Sequence, residues 1–113
     1  MNLRVITSSS HPATIALEGS LDLHGVEEVE TPFLAAISAH PGAVVDLSQL
    51  TFVASLGMRM FIAAHKILAL TGKPLIVFSP NPQVRKIIHH SGMDSLLTIA
   101  EDETEARSLA TAG

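Results

Sequence analysis

At 113 residues and 47% apolar composition, the chain is expected to form one self-sufficient domain over residues 1–113, with no second domain to complete an active site. Zero cysteine excludes a disulfide framework, a thiolate nucleophile and a zinc–thiolate site, and suits a reducing, cytoplasmic compartment. Seven basic against eleven acidic residues give a net charge of −4 with no Lys/Arg cluster, which argues against a nucleic-acid partner.

The opening segment alternates polar and apolar residues and lacks the apolar core of a secretory signal. No run of about 18 apolar residues offers itself for membrane insertion. Leu3 to Thr7 and Thr14 to Glu18 alternate at period two around Ser8-Ser9-Ser10-His11-Pro12, which predicts an antiparallel hairpin. Val26, Val29, Phe33 and Ile37 then recur at helical spacing, and Pro32 inside that stretch either kinks the helix or starts a second one. Pro41-Gly42 turns into Ala43-Val44-Val45-Asp46-Leu47, an apolar run suited to a central parallel strand, with Asp46 closing it.

A short loop leads to a helix from Ser55 to about Leu70, which Gly72 and Pro74 terminate. Leu75 to Phe78 repeats the pattern of a strand covered on both faces. Asn81-Pro82 reads as an N-cap followed by proline at the first helical position, with Val84, Ile87 and Ile88 as the apolar stripe. Leu96 to Ile99 is a last short strand, and Asp102 to Glu105 places acids at the start of a terminal helix. Strands alternating with helices imply an α/β fold, a mixed, mainly parallel sheet with helices packed against it. Its working surface is then expected at strand carboxyl ends and helix starts, which include Ser55.

On the residues alone, the Ser55 hydroxyl is a helix cap. The segment around it, however, resembles the STAS domain, named for sulphate transporters and anti-sigma-factor antagonists. The resemblance rests on Gly19-Ser20-Leu21-Asp22, Val45-Asp46-Leu47-Ser48, Ser55-x-Gly57, Gly72-Lys73-Pro74-Leu75, Ile87 to Gly92 and Glu105-Ala106, in that order along nearly the whole chain. It implies a single-domain STAS-like fold and a protein-binding module in bacterial transcriptional signalling. In the antagonist branch, the serine matching Ser55 is phosphorylated by a kinase that is also an anti-sigma factor, and the dephosphorylated form binds that kinase and releases the sigma factor. The chain departs from the motif at Ala54, where the family usually carries Asp, at Leu56 in place of a small polar residue, and at Arg59 in place of Gly. Ala54 keeps open an alternative, a non-phosphorylated STAS subunit of a lipid-transport ABC system or a stress-signalling scaffold.

The 55–70 helix is apolar nearly all round. Met58, Phe61, Ile62, His65 and Ala69 are expected to face the core, and Leu56, Met60, Ala63, Ala64 and Ile67 to face outward beside Arg59 and Lys66. The expected partner contacts are therefore Asp22, Ser55, Leu56, Gly57, Arg59, Met60, Ala63 and Ile67. Asp22 matches an acidic residue near the family's switch serine, and it is equally suited to capping the following helix. The six histidines show no ligand spacing, so neither a metal nor another cofactor is expected. Val53-Ala54-Ser55-Leu56-Gly57 imitates a GxSxG nucleophile elbow, but Val53 stands where the strained turn needs glycine and no histidine follows Asp94 or the later acids, so no catalytic residue is expected.

Overall fold

The two alternating runs at the start pair as predicted. In the computed structural model, which describes residues 2–8 and 11–111, β1 (Asn2–Ser8) and β2 (His11–Leu21) are antiparallel, with Leu3 opposite Leu17 and Val5 opposite Ile15. Ser9 and Ser10 of the expected turn lie outside the described residues. Helix α1 (Leu23–Ala39) buries Val26, Val29, Phe33 and Ile37, the stripe that the spacing identified. It is one helix: Pro32 sits on its exposed side, and the buried anchors Val29 and Phe33 hold the chain to either side.

Strand β3 (Val44–Val53) begins where expected but does not close at Asp46 or Leu47. Its buried residues are Val44, Val45, Leu47, Leu50 and Val53, so the inward spacing stretches from two to three after Leu47. Register shifts between Ala16 and Glu18 and between Gly19 and Ser20 of β2 absorb the irregularity. Asp46 therefore lies within the strand, where its Oδ1 accepts from the Ser48 N–H at 2.8 Å. Only Ala54 separates β3 from α2 (Ser55–Ala69).

After α2 come β4 (Leu75–Phe78), α3 (Pro82–His90), a 3-10 turn (Met93–Ser95), β5 (Leu97–Ala100) and α4 (Glu103–Thr111). The sheet order is β1-β2-β3-β4-β5, antiparallel only between β1 and β2. Right-handed crossovers put α1, α2 and α3 on one face. That face holds the larger core, in which Ile15, Leu17, Val45, Leu47, Leu75 and Val77 meet the helices. The opposite face carries Val44, Ile76, Phe78 and Ala100 under Ala106 of α4. The paired residues Val44/Val45 and Ile76/Val77 thus point into different cores, which is why both strands read as unbroken apolar runs.

Arg107 fixes α4 over the sheet, donating to the Pro12 carbonyl, the Thr14 hydroxyl and Glu103 at 2.8, 2.8 and 2.9 Å. Asn81 and Pro82 start α3 as predicted. Asn81 Oδ1 accepts from the Val84 N–H, while its Nδ2 donates to the carbonyl of Leu50, tying α3 to the extended part of β3.

Candidate functional site

β2 and β3 end side by side, Leu21 paired with Val53, and the N–H of Ala54 donates to the Leu21 carbonyl at 2.9 Å. Each strand then enters a helix after a single residue, so the positive ends of α1 and α2 lie together at one edge of the sheet. Glycines allow the approach. A Cβ on Gly25 would run into the carbonyl oxygen of Ser20, and one on Gly57 would lie 2.7 Å from Leu21 Cδ2 and 3.0 Å from Val53 Cγ1. The Ser55-x-Gly57 spacing thus has a packing reason: α2 can start over the strand ends only without a side chain at position 57.

The two helix starts differ in their caps. Asp22 precedes α1 with extended backbone, and its Oδ1 accepts from the Gly25 N–H at 2.8 Å. That bond, with smaller help from the Ser20 side chain and the charge of His24, outweighs desolvation and lowers the Asp22 pKa below its ordinary value. The capping reading of Asp22 therefore holds. Ala54 precedes α2 with similar backbone, φ −86° and ψ 173°, but has no side-chain acceptor to offer. Ser55 is the first residue inside the helix, so the expectation that it caps α2 is corrected. Its exposed hydroxyl instead stands beside a first turn of backbone donors that no side chain caps.

The phase of α2 also differs from expectation. Its buried residues are Gly57, Met60, Phe61, Ala64 and Leu68. Met60 and Ala64, placed outward by the sequence reading, are core residues with 0% exposure, whereas Ala69 is exposed and Met58, Ile62 and His65 are half-buried. Ile67 is half-buried against the core. The cause is Gly57: once it faces the strand ends, positions 60, 61, 64 and 68 follow inward at helical spacing. Phe61 meets Phe33 of α1 edge to face at 5.9 Å.

Of the predicted contacts, Ser55, Leu56 and Arg59 are exposed, Ala63 and Asp22 are half-buried, and Gly57 is buried. Leu23 and Phe52, which sequence reasoning missed, are 52% and 41% exposed and flank this edge, Phe52 pairing with Ser20. An apolar residue at the first position of a helix was the available signal for Leu23. Phe52 was hidden by reading positions 48–54 as a loop.

Residues 5–98 match the sequence family described as Mlab, STAS domain. The chain belongs to the STAS family. An anti-sigma F factor antagonist of Lysinibacillus sphaericus is 26% identical over 105 residues, covering 91% of this chain and 90% of that protein. The anti-sigma factor antagonist SpoIIAA in its unphosphorylated form superposes with a TM-score of 0.76 at 25% identity, over 95% of this chain and 94% of the other. Phosphorylated SpoIIAA matches at 0.63 and 21%, over 91% and 95%. The fold is likewise that of an anti-sigma-factor antagonist (STAS) domain protein from Planctomyces limnophilus, with a TM-score of 0.84 at 18% identity over 96% and 97%. These STAS relatives are anti-sigma-factor antagonists. Among the described residues, no helix is long and apolar enough to cross a membrane.

Proposed function

We propose that the chain is an anti-sigma-factor antagonist-like module of bacterial transcriptional signalling, cytoplasmic, whose docking to an anti-sigma factor serine kinase is switched by phosphorylation of Ser55. One observation carries the reading: an exposed serine opens a helix whose first turn no side chain caps, at the strand-end edge where exposed Leu23 and Leu56 line one hollow. SpoIIAA, a structural relative, exists in unphosphorylated and phosphorylated forms, which supports transfer of that chemistry to this chain.

Phosphoryl transfer would move the γ-phosphoryl group of ATP to the Ser55 oxygen, with loss of the hydroxyl proton and release of ADP. The product adds about −1.5 to −2 charge at neutral pH. Free N–H groups and the helix dipole favour that charge, so the fold tolerates it. A partner packed on Leu56 and its neighbours would have to bury it, so the complex does not.

Incubation with ATP and an anti-sigma factor serine kinase that binds the chain should place one phosphate on Ser55 by mass spectrometry. Ser55→Asp should weaken binding to that kinase, and Ser55→Ala should preserve it. Binding indifferent to Ser55→Asp, together with an unmodified Ser55, would overturn the switch. Ala54 favours a second reading, a constitutive STAS subunit of a lipid-transport ABC system or a stress-signalling scaffold, because the acid common before the switch serine is missing.

A further inference from the structure

On the surface of the two neighbouring helices, Leu23, Glu27 and Glu30 of α1 face Leu56, Arg59 and Ala63 of α2 across a concavity of about 420 Å³ floored by Val26. A second hollow of about 280 Å³ shares Arg59 and Ala63 and continues along α2 to Ile62 and Lys66. Positions 56, 59 and 63 recur at helical spacing, as do 23, 27 and 30, so each set forms one wall of the α1–α2 groove, and the second hollow prolongs the α2 wall alone, toward Lys66. From Leu56 to Ala63 the two-walled part is roughly 10 Å long.

Its walls carry opposite charges that do not neutralise each other. Among the described residues Glu27, Glu30, Arg59 and Lys66 have no ion-pair partner, although Glu27, Glu30 and Arg59 line the same hollow. The floor and mouth are apolar, with Leu23 52% and Leu56 36% exposed.

We infer that this α1–α2 groove receives an amphipathic helix of a partner protein, one with an apolar stripe flanked by basic residues on one side and acidic residues on the other. The inference rests on the reading of the chain as a docking module and names the element that docks. A helix fits where an extended segment does not. The walls are helices whose backbone groups are already paired, so a strand would find no ladder there, while a helix arrives with its own hydrogen bonds satisfied. A second copy of the chain is a poor occupant: its exposed large apolar residues, Val5, Ile6, Leu23, Phe52, Leu56, Leu70 and Leu109, place no more than one on any described helix, so none of its helices offers an exposed apolar stripe. The basic flank of the occupant lies along Glu27 and Glu30, its acidic flank along Arg59 and Lys66, and its apolar stripe covers Leu23, Leu56 and Ala63. Ser55 adjoins Leu56 at the head of the groove.

Three helical peptides of about fourteen residues test this, sharing a leucine stripe at i, i+4 and i+7. Their flanks are lysine and glutamate on opposite sides, lysine on both sides, or glutamate on both sides. Turning a helix end for end exchanges its flanks, so the single-sign peptides are the proper controls: in either direction they place like charges against one wall. The full chain titrated with the mixed peptide should show amide shifts at Leu23, Glu27, Leu56 and Arg59, with affinity about fivefold above either control at low salt. That advantage should vanish in high salt and in Arg59→Glu or Glu27→Lys/Glu30→Lys, whose melting temperatures should match wild type. Shifts elsewhere, no shifts, equal affinity for all three peptides, or a dimer in sedimentation that Arg59→Glu dissociates would each overturn the groove. The outcome separates from that of the switch. Loss of kinase binding in Ser55→Asp without a groove response sinks the groove alone, and a groove response with an unphosphorylated Ser55 sinks the switch alone.

Discussion

The starts of α1 and α2 are built to one plan and differ in one side chain. Each follows a strand after a single residue in extended conformation, each lies over the strand ends, and each needs glycine at its third helical position, Gly25 and Gly57. At α1 the intervening residue is Asp22, whose carboxylate occupies the Gly25 N–H. At α2 it is Ala54, which occupies nothing. α3 and α4 follow α1, with Asn81 bonded to the Val84 N–H and Asp102 to the Glu105 N–H. Among the described α-helices, the one left without a side-chain cap is the one that begins with the candidate switch serine. The comparison separates what holds the edge together, the glycine contacts, from what leaves it available, the absent cap.

The glycine half of the comparison can be broken hardest. In Gly25→Ala the added methyl meets the backbone carbonyl of Ser20, which cannot rotate aside, whereas in Gly57→Ala it meets the leucine side chain of Leu21 and Val53 Cγ1. Gly25→Ala should therefore cost more than Gly57→Ala, for which about 1–3 kcal/mol is the ordinary overpacking penalty. Urea titrations of the two variants rank them. The reverse order would mean that α1 can lift from the strand end more easily than α2, against the geometry described.

Much of this architecture was legible in the sequence because local and long-range demands agreed. Asn81-Pro82 is an N-cap by residue chemistry alone, and the stripe Val26, Val29, Phe33 and Ile37 admits one orientation because polar residues fill the other side. α2 gave no such contrast. With apolar residues nearly all round, its phase is set by the contact of Gly57 with Leu21 and Val53, which involves a residue 36 positions away along the chain. Met60 was misplaced for that reason. The end of β3 was hidden because bulges break the period-two pattern that identifies a strand. The groove depends on α1 and α2 lying side by side, and no segment read by itself brings Glu27 and Glu30 opposite Arg59.

The cap of α1 offers a smaller effect with a pH signature. Asp22→Ala should lower the melting temperature by a few degrees, and Asp22→Asn should retain most of the loss-free geometry because an amide oxygen also caps. The Asp22 pKa lies below the ordinary 3.8 in the folded state, held there first by the Gly25 N–H. A carboxyl group lowered in this way stabilises the fold fully above its unfolded pKa and loses that contribution as pH falls through the folded value. The gap between wild type and Asp22→Ala should therefore be constant near neutral pH and close on acidification below about 3.8. Circular-dichroism melts across that range measure it. A gap that stays constant in acid would show that folding leaves the Asp22 pKa unshifted, and one that widens that folding raises it.

The smallest expected effect bears most directly on the switch. Ala54 already has the extended backbone of an N-cap, so Ala54→Asp adds an acceptor at no conformational cost. It should stabilise the chain by about 1 kcal/mol, or roughly 4 °C in melting temperature for a domain of this size. Ser55→Asp, one residue into the same helix, should also stabilise by about 0.5 kcal/mol through the dipole. If both carboxylates draw on the same uncapped first-turn donors, the double variant must gain less than the two single gains together, since a donor already engaged is not available twice. A double-mutant cycle measured by denaturant unfolding reads that shortfall directly. Full additivity would mean that an anion at position 55 does not use the donors that Ala54 leaves free, and the explanation offered for why a phosphate would be tolerated there would fall even if Ser55 were modified.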